Sequence, residues 1–187
     1  MKGRVGVEKF VINGGNPLSG IVEIGGSKNA ALPILAATLL SETPSIIRNI
    51  PDLLDVNTMI LVLQGLGVRI EKLAEGTYQI FPDSLIKSDA PYELIRKMRA
   101  SFLVTGPLIT RLKRAQVPLP GGCAIGSRPI DLHIKGFLHL GVQVSMHSGY
   151  VEAWTDQLHP GEIYLDFPSV GATENIMMLA SVIPGDT

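Results

Sequence analysis

Apolar residues along the chain follow two rhythms. Helix-like spacing runs through 30–40, 56–66, 132–140 and 175–183. Between these stretches lie short alternating or β-branched runs, which predict strands at 21–24, 45–48, 68–72, 79–81, 116–119, 142–147, 150–153 and 163–167. The two rhythms recur in order. Leu66-Gly67-Val68-Arg69-Ile70 returns as Leu140-Gly141-Val142-Gln143-Val144, an offset of 74. Each copy follows a helix-periodic stretch and precedes a hairpin-like segment. Ser27-Lys28-Asn29 opens one apolar run and Thr173-Glu174-Asn175 opens another, with an offset of 146, about twice the first. Midway stands Ala100-Ser101-Phe102-Leu103-Val104. Ser27, Ser101 and Thr173 are predicted helix N-caps, because a hydroxyl oxygen there can accept an orphan backbone N–H.

The predicted unit is therefore strand, capped helix, strand, second helix and hairpin, about 73 residues long. Two copies are complete and the third stops after its first helix. Short matches of this kind also arise by chance between apolar helices, but two features share one period. Parallel strands joined by helical crossovers, plus hairpins, predict an α/β fold with a mixed sheet.

Composition narrows the function classes. The 187 residues include 20 Gly and 13 Pro, which fits many short elements and tight turns. An apolar fraction of 45% with 18% charged residues excludes a disordered chain. The net charge of −1 supplies no field toward nucleic acid or an anionic membrane. The longest mostly apolar run, 30–40, has eleven residues, against the roughly 18 that a membrane span needs. The first ten residues carry cations with no apolar stretch behind them, unlike a secretory signal. A single cysteine, Cys123, excludes an internal disulfide. A cytoplasmic location is expected. The chain ends just after the apolar run 175–183, an unusual place for a finished domain to stop.

Four segments are candidates for chemistry. Gly25-Gly26-Ser27-Lys28-Asn29 feeds a helix N-terminus, where free N–H groups favour an anion; the same pattern suits a capped helix with a solvated lysine. Arg96-Lys97-Met98-Arg99, with Arg111, Lys113 and Arg114 further on, reads as a diphosphate site or as a solvated basic face. The loop 119–131 holds Cys123 among glycines, five residues before Arg128. A guanidinium at that range can lower a thiol pKa, although an incidental loop cysteine fits too. Asp131 can cap the following helix. Finally, Ser169-Val170-Gly171 leads into a helix start that suits phosphate or simple capping. His133, His139, His147 and His159 lack metal-ligand spacing.

Together these segments resemble the UDP-N-acetylglucosamine enolpyruvyl transferases (1-carboxyvinyltransferases). The matching runs are GGSKNAALPILAA, MRASFLVTGPL, LPGGCAIGSRPIDLHIKGF and SVGATENIMM, in order along essentially the whole chain. The resemblance implies an inside-out α/β barrel of the enolpyruvyl transferase type, with the third repeat truncated. It implies transfer of the enolpyruvyl group of phosphoenolpyruvate to the sugar 3-hydroxyl with release of phosphate, the first committed step of peptidoglycan synthesis. Cys123 then matches the catalytic loop cysteine. Lys28, Asn29 and Arg128 match residues that bind phosphoenolpyruvate. Arg99, Arg128, Pro129, Ile130, Asp131, Leu132, Ser169, Val170 and Gly171 match the UDP-sugar site. Phe167 stands where some members carry a lysine. No metal or organic cofactor is implied, and no nucleic-acid or membrane partner. The family is about twice as long, so residues 27–187 would form an incomplete first domain, with 1–26 packing on an absent second one. The general base would also lie in the missing half, leaving this chain inactive alone. A non-catalytic UDP-sugar-binding remnant and a 5-enolpyruvylshikimate-3-phosphate synthase-like enzyme are the alternatives.

Overall fold

The computed structural model describes residues 9–15, 17–96, 98–119 and 130–187, with Arg99 described by its backbone. Helix α1 (Lys28–Ala37) runs through a 3-10 turn (Thr38–Leu40) into β1 (Ser45–Ile47). Helix α2 (Leu54–Gly65) precedes the hairpin β2 (Arg69–Ala74) and β3 (Thr77–Phe81). A short helix α3 (Tyr92–Ile95) and a 3-10 segment (Arg99–Val104) lead to α4 (Thr105–Leu112) and β4 (Arg114–Pro118). Helix α5 (Asp131–His139) then precedes the hairpin β5 (Gln143–His147) and β6 (Tyr150–Trp154), and α6 (Val170–Ala180) follows.

The strands form two small sheets of three, ordered β1-β3-β2 and β4-β6-β5. Among the described residues every strand pairing is antiparallel, which corrects the expected parallel pairing. The helical crossovers do join strands that run the same way: β1 to β2 through α2, and β4 to β5 through α5. Parallel neighbours do not result, because each hairpin folds its second strand into the gap between them. The turns are tight at Gly76 (φ 62°) and Gly149 (φ 97°), where glycine tolerates a left-handed backbone. Among the described residues the one parallel contact is an isolated bridge, Asp89 to Gln116.

The predicted strands at 21–24 and 163–167 do not form. Residues 21–24 belong to no strand and pair with nothing described, and Ile21 is 98% exposed. Asp166, in the second segment, is instead tied to Lys135 of α5 at 2.8 Å.

The helices bury one apolar core that includes Leu35, Met59, Leu63, Phe102, Leu108 and Phe137. Helix α6 packs on α4 and α5, while α1 packs on α2. Glycine permits the closest approach: a Cβ on Gly106 would stand 2.6 Å from the Asn175 backbone oxygen.

Two of the three predicted caps need correction. Ser27 does occupy the N-cap position of α1, though its side chain makes no capping bond. Ser101 is instead buried inside the 3-10 segment, and α4 starts later, at Thr105. Pro107 then falls in the first turn of α4, where its missing N–H costs nothing. Helix α6 starts at Val170, with Ser169 accepting from the Ala172 N–H. Thr173 lies inside that first turn and donates to the Ser169 carbonyl at 2.9 Å.

Candidate active-site cleft

A cleft of about 570 Å³ opens between the starts of α1 and α6. Its walls include Lys28, Asn29, Leu32 and Pro33 of α1, Asp55 of α2, His133 of α5, and Ser169, Val170, Gly171 and Glu174 at α6. Met98, Ala100, Phe102 and Leu103 form the floor between them.

The α1 wall is shaped by backbone needs. A Cβ on Gly26 would lie 1.8 Å from the Asn49 carbonyl oxygen, so only glycine lets the chain turn there. Asn49 itself has φ 58°, a left-handed conformation that asparagine accepts. Pro33 has no N–H to give the Asn29 carbonyl one turn earlier, which leaves that oxygen without its helical donor. Lys28 Nζ sits 2.7 Å from Asp55 Oδ2, with both side chains partly exposed. This carboxylate is the neighbour that a lysine needs beside the positive end of a helix.

The α6 wall is anchored from behind. Ser169 Oγ accepts the capping N–H of Ala172 at 3.3 Å, and its O–H stays able to donate beside the backbone N–H groups of the helix start. Asn175 is fully buried behind this wall and bonds Gly106, Phe102 and His133. Glu174 faces the cleft, and burial pushes its carboxyl above the usual glutamate range. The described lining thus sets Lys28 against Asp55 and Glu174. A strongly anionic ligand would need further cations.

The structure brings together Lys28, Asn29, Ser169, Val170 and Gly171, from segments about 140 residues apart. Arg99 begins the 3-10 segment between the cleft residues Met98 and Ala100. Ile130 and Leu132 are buried in the core, and Asp131 is exposed in the first turn of α5, with Ile130 in the cap position. None of these three lines the cleft. Cys123, Arg128 and Pro129 lie outside the described residues, and so does Lys97.

The remaining basic residues do structural work. Arg111 donates to the Leu39 carbonyl at 3.1 Å and also to the Ser41 carbonyl, closing the turn after α1. Lys113 ends α4 in a left-handed conformation, and Arg114 pairs with Glu152 at 2.6 Å. Arg96 lies over the Tyr92 ring.

Asp55, His133 and Glu174 are cleft residues that sequence reasoning misses. Asp55 carries no local motif. His133 is weighed only as a metal ligand and set aside for its spacing. Glu174 belongs to a predicted helix start, whereas the helix begins four residues further back. Among the described residues no group of three or more His, Cys, Asp or Glu side chains is placed to hold a metal ion. No helix among them is long and apolar enough to cross a membrane.

Comparison with known proteins adds three findings. The family profile described as EPSP synthase (3-phosphoshikimate 1-carboxyvinyltransferase) matches residues 12–187. The chain is 52% identical over 181 residues to UDP-N-acetylglucosamine 1-carboxyvinyltransferase 2 of Carboxydothermus hydrogenoformans, covering 97% of this chain and 43% of the relative. It is 53% identical to UDP-N-acetylglucosamine 1-carboxyvinyltransferase 1 of Caldanaerobacter subterraneus, covering 96% and 43%. The chain thus spans less than half the length of these relatives. Among solved structures, the enolpyruvyl transferase NikO from Streptomyces tendae matches with a TM-score of 0.75 at 20% identity, covering 92% of this chain and 40% of that one. EPSP synthase from Acinetobacter baumannii matches with a TM-score of 0.71 at 17% identity, covering 89% and 39%. At these identities the structural matches establish the fold: an α/β enolpyruvyl transferase fold with small sheets.

Proposed function

The chain belongs to the EPSP synthase (3-phosphoshikimate 1-carboxyvinyltransferase) family, and from that premise we propose that it forms one wall of an enolpyruvyl transferase site that joins phosphoenolpyruvate to UDP-N-acetylglucosamine. The observation that carries this reading is the cleft itself. It gathers Lys28 and Asn29 with Ser169, Val170 and Gly171, the residues that the sequence resemblance assigns to the two substrates. The sugar acceptor is favoured by relatives of about half identity that are named for it.

In this reading the methylene carbon of phosphoenolpyruvate takes a proton, and the adjacent carbon becomes electrophilic. The sugar 3-hydroxyl attacks there. Loss of phosphate and of a proton then restores the double bond. Cys123 is the proposed acid; a positioned acid contributes ~10²–10⁴-fold. Lys28 and Arg128 hold the phosphate, and Arg99 serves the nucleotide sugar. These cations supply the positive charge that Asp55 and Glu174 otherwise outweigh. Ser169, Val170 and Gly171 offer backbone N–H groups to the diphosphate. The resemblance assigns Pro129, Ile130, Asp131 and Leu132 to the nucleotide; the Ile130 and Leu132 side chains lie in the core, so backbone groups at the start of α5 would make that contact. The base that takes the hydroxyl proton comes from a second half, against which the N-terminal segment 1–26 packs; residues 1–8 and 16 of it lie outside the described residues. The reaction belongs to cell-wall synthesis in the cytoplasm.

The test is titration of this chain with UDP-N-acetylglucosamine and, separately, with shikimate 3-phosphate. The reading expects the first to perturb the Gly171 amide and the second to leave it unchanged. The reverse result would establish the shikimate-type acceptor, a second reading that the family profile and the EPSP synthase fold match favour.

A further inference from the structure

The repeating units place their helices in two roles. The first helix of a unit is α1 in unit one, the 3-10 segment with α4 in unit two, and α6 in unit three. These three meet one another: α1 touches the 3-10 segment, α6 touches the 3-10 segment and α4, and α1 touches α6. The second helices, α2 and α5, lie over seams of that trio. Helix α2 packs on α1 and on the 3-10 segment. Helix α5 packs on α6, and its His133 ring meets Phe102 of the 3-10 segment edge-on at 5.2 Å. Each second helix therefore bridges the first helix of its own unit and that of the next.

The two bridging helices share one buried pattern. Met59, Val62, Leu63 and Leu66 correspond, 74 residues on, to His133, Gly136, Phe137 and Leu140, and all eight are buried. The spacing i, i+3, i+4, i+7 is one face of a helix. Each pattern closes on a glycine of positive φ, Gly67 at 98° and Gly141 at 88°, which ends the helix.

The third seam, between α6 and α1, carries no such helix among the described residues. An apolar groove of about 340 Å³ runs there instead, with Pro33, Ile34, Ala37 and Leu40 on one side and Met177 and Met178 on the other. Ile34 is 45% exposed and Met177 63%, at positions that a bridging helix would cover. The matched relatives have chain enough to supply one, since this sequence spans 43% of the C. hydrogenoformans protein.

We propose that this groove seats an amphipathic helix, the second helix of a third unit, carried by sequence outside residues 1–187. It bridges α6 and α1 as α2 and α5 bridge the other two seams. The occupant of the groove is independent of which substrates the cleft takes.

Sequence gives the first test. The stretch that follows the matched region in the C. hydrogenoformans relative should hold a run with apolar or small residues at the same four spacings, closing on glycine; its absence overturns the proposal. A synthetic peptide of that run is then titrated into the 187-residue chain carrying ¹³C at its methionine methyls. Met177 and Met178 report the groove and Met98 the cleft floor, while Met146 of β5 borders neither. Shifts at Met177 and Met178 with Met146 unmoved support the proposal. Silence at Met177 and Met178, an equal shift at Met146, or a shift confined to Met98 overturns it. Broadening of Met177 and Met178 with chain concentration, before any peptide is added, identifies a second copy as the occupant and also overturns it. Ile34→Asp sets a carboxylate in the apolar contact and should weaken peptide binding at least about ten-fold. Met177→Asp does the same from the facing wall. Unchanged affinity in either variant, with the buried Met59 methyl at its parent position to show that the chain is folded, overturns the proposal. If neither variant folds, the methyl titration of the parent chain decides.

Discussion

Helix α1 enters the cleft wall behind Gly26 and Ser27, and helix α6 enters it behind Ser169. Their starts face each other across one space, yet different forces hold them. At α1 the serine makes no capping bond, and Lys28 is steadied by Asp55, with both side chains partly open to solvent. At α6 the serine caps, and the fully buried Asn175 ties the helix to the 3-10 segment, α4 and α5. Exposed ion pairs contribute roughly 0–1 kcal/mol and respond to salt. Buried amides, once paired, are costly to disturb. The α1 wall can therefore release its cation to a ligand at little cost, whereas the α6 wall presents a fixed surface.

Substitutions can break this contrast. The largest effect is expected at Asn175→Leu, which strands the Gly106 N–H and the Phe102 carbonyl in the core. A loss of about 3–5 kcal/mol should appear in urea unfolding. Next comes Gly26→Ala, whose Cβ would collide with the Asn49 carbonyl at 1.8 Å. Relaxation of the turn should cost about 1–3 kcal/mol by the same measurement. The α1 wall thus has one rigid point, and it is backbone. Asp55→Asn should change stability by no more than about 1 kcal/mol. Under the proposed function it should also tighten binding of phosphoenolpyruvate, since Lys28 loses its competing carboxylate; weaker binding on calorimetric titration would show instead that Asp55 orients the lysine.

The smallest effect is expected at Glu174→Gln, and it depends on pH. Burial raises the folded-state pKa of Glu174 above its unfolded value. The native state therefore carries no penalty below the unfolded pKa of about 4.3. It gains one as pH rises through the folded value. Glu174→Gln should match the parent in Tm at acid pH and exceed it slightly at neutral pH. A difference that grows toward acid pH would contradict the assigned direction.

The contrast also marks what is legible in the sequence. Six predicted strands form, because alternation and glycine turns are local signals. The pairing pattern is not legible. Inserting β3 between β1 and β2 depends on which edge the hairpin meets, and no spacing encodes that. Ser101 looks like a cap, but its side chain is buried and the chain stays in a 3-10 path until Thr105. Residues 21–24 have a strand-like pattern without a partner strand among the described residues. At the site, Lys28, Asn29 and Ser169–Gly171 are legible because each sits in a short motif. Asp55 and His133 join the cleft only through packing between helices distant in sequence.

Glu174 lines a second surface besides the cleft. It also borders an apolar groove of about 340 Å³ formed with Pro33, Ile34, Ala37, Leu40, Met177, Met178 and Ser181. One carboxylate is thus shared between a polar space and a greasy one. Any surface laid over the groove would strip water from the far side of that carboxylate and make its charge harder to keep. Assembly on the outer face would then be accompanied by proton uptake, and the cleft would become less negative without any change in its own residues.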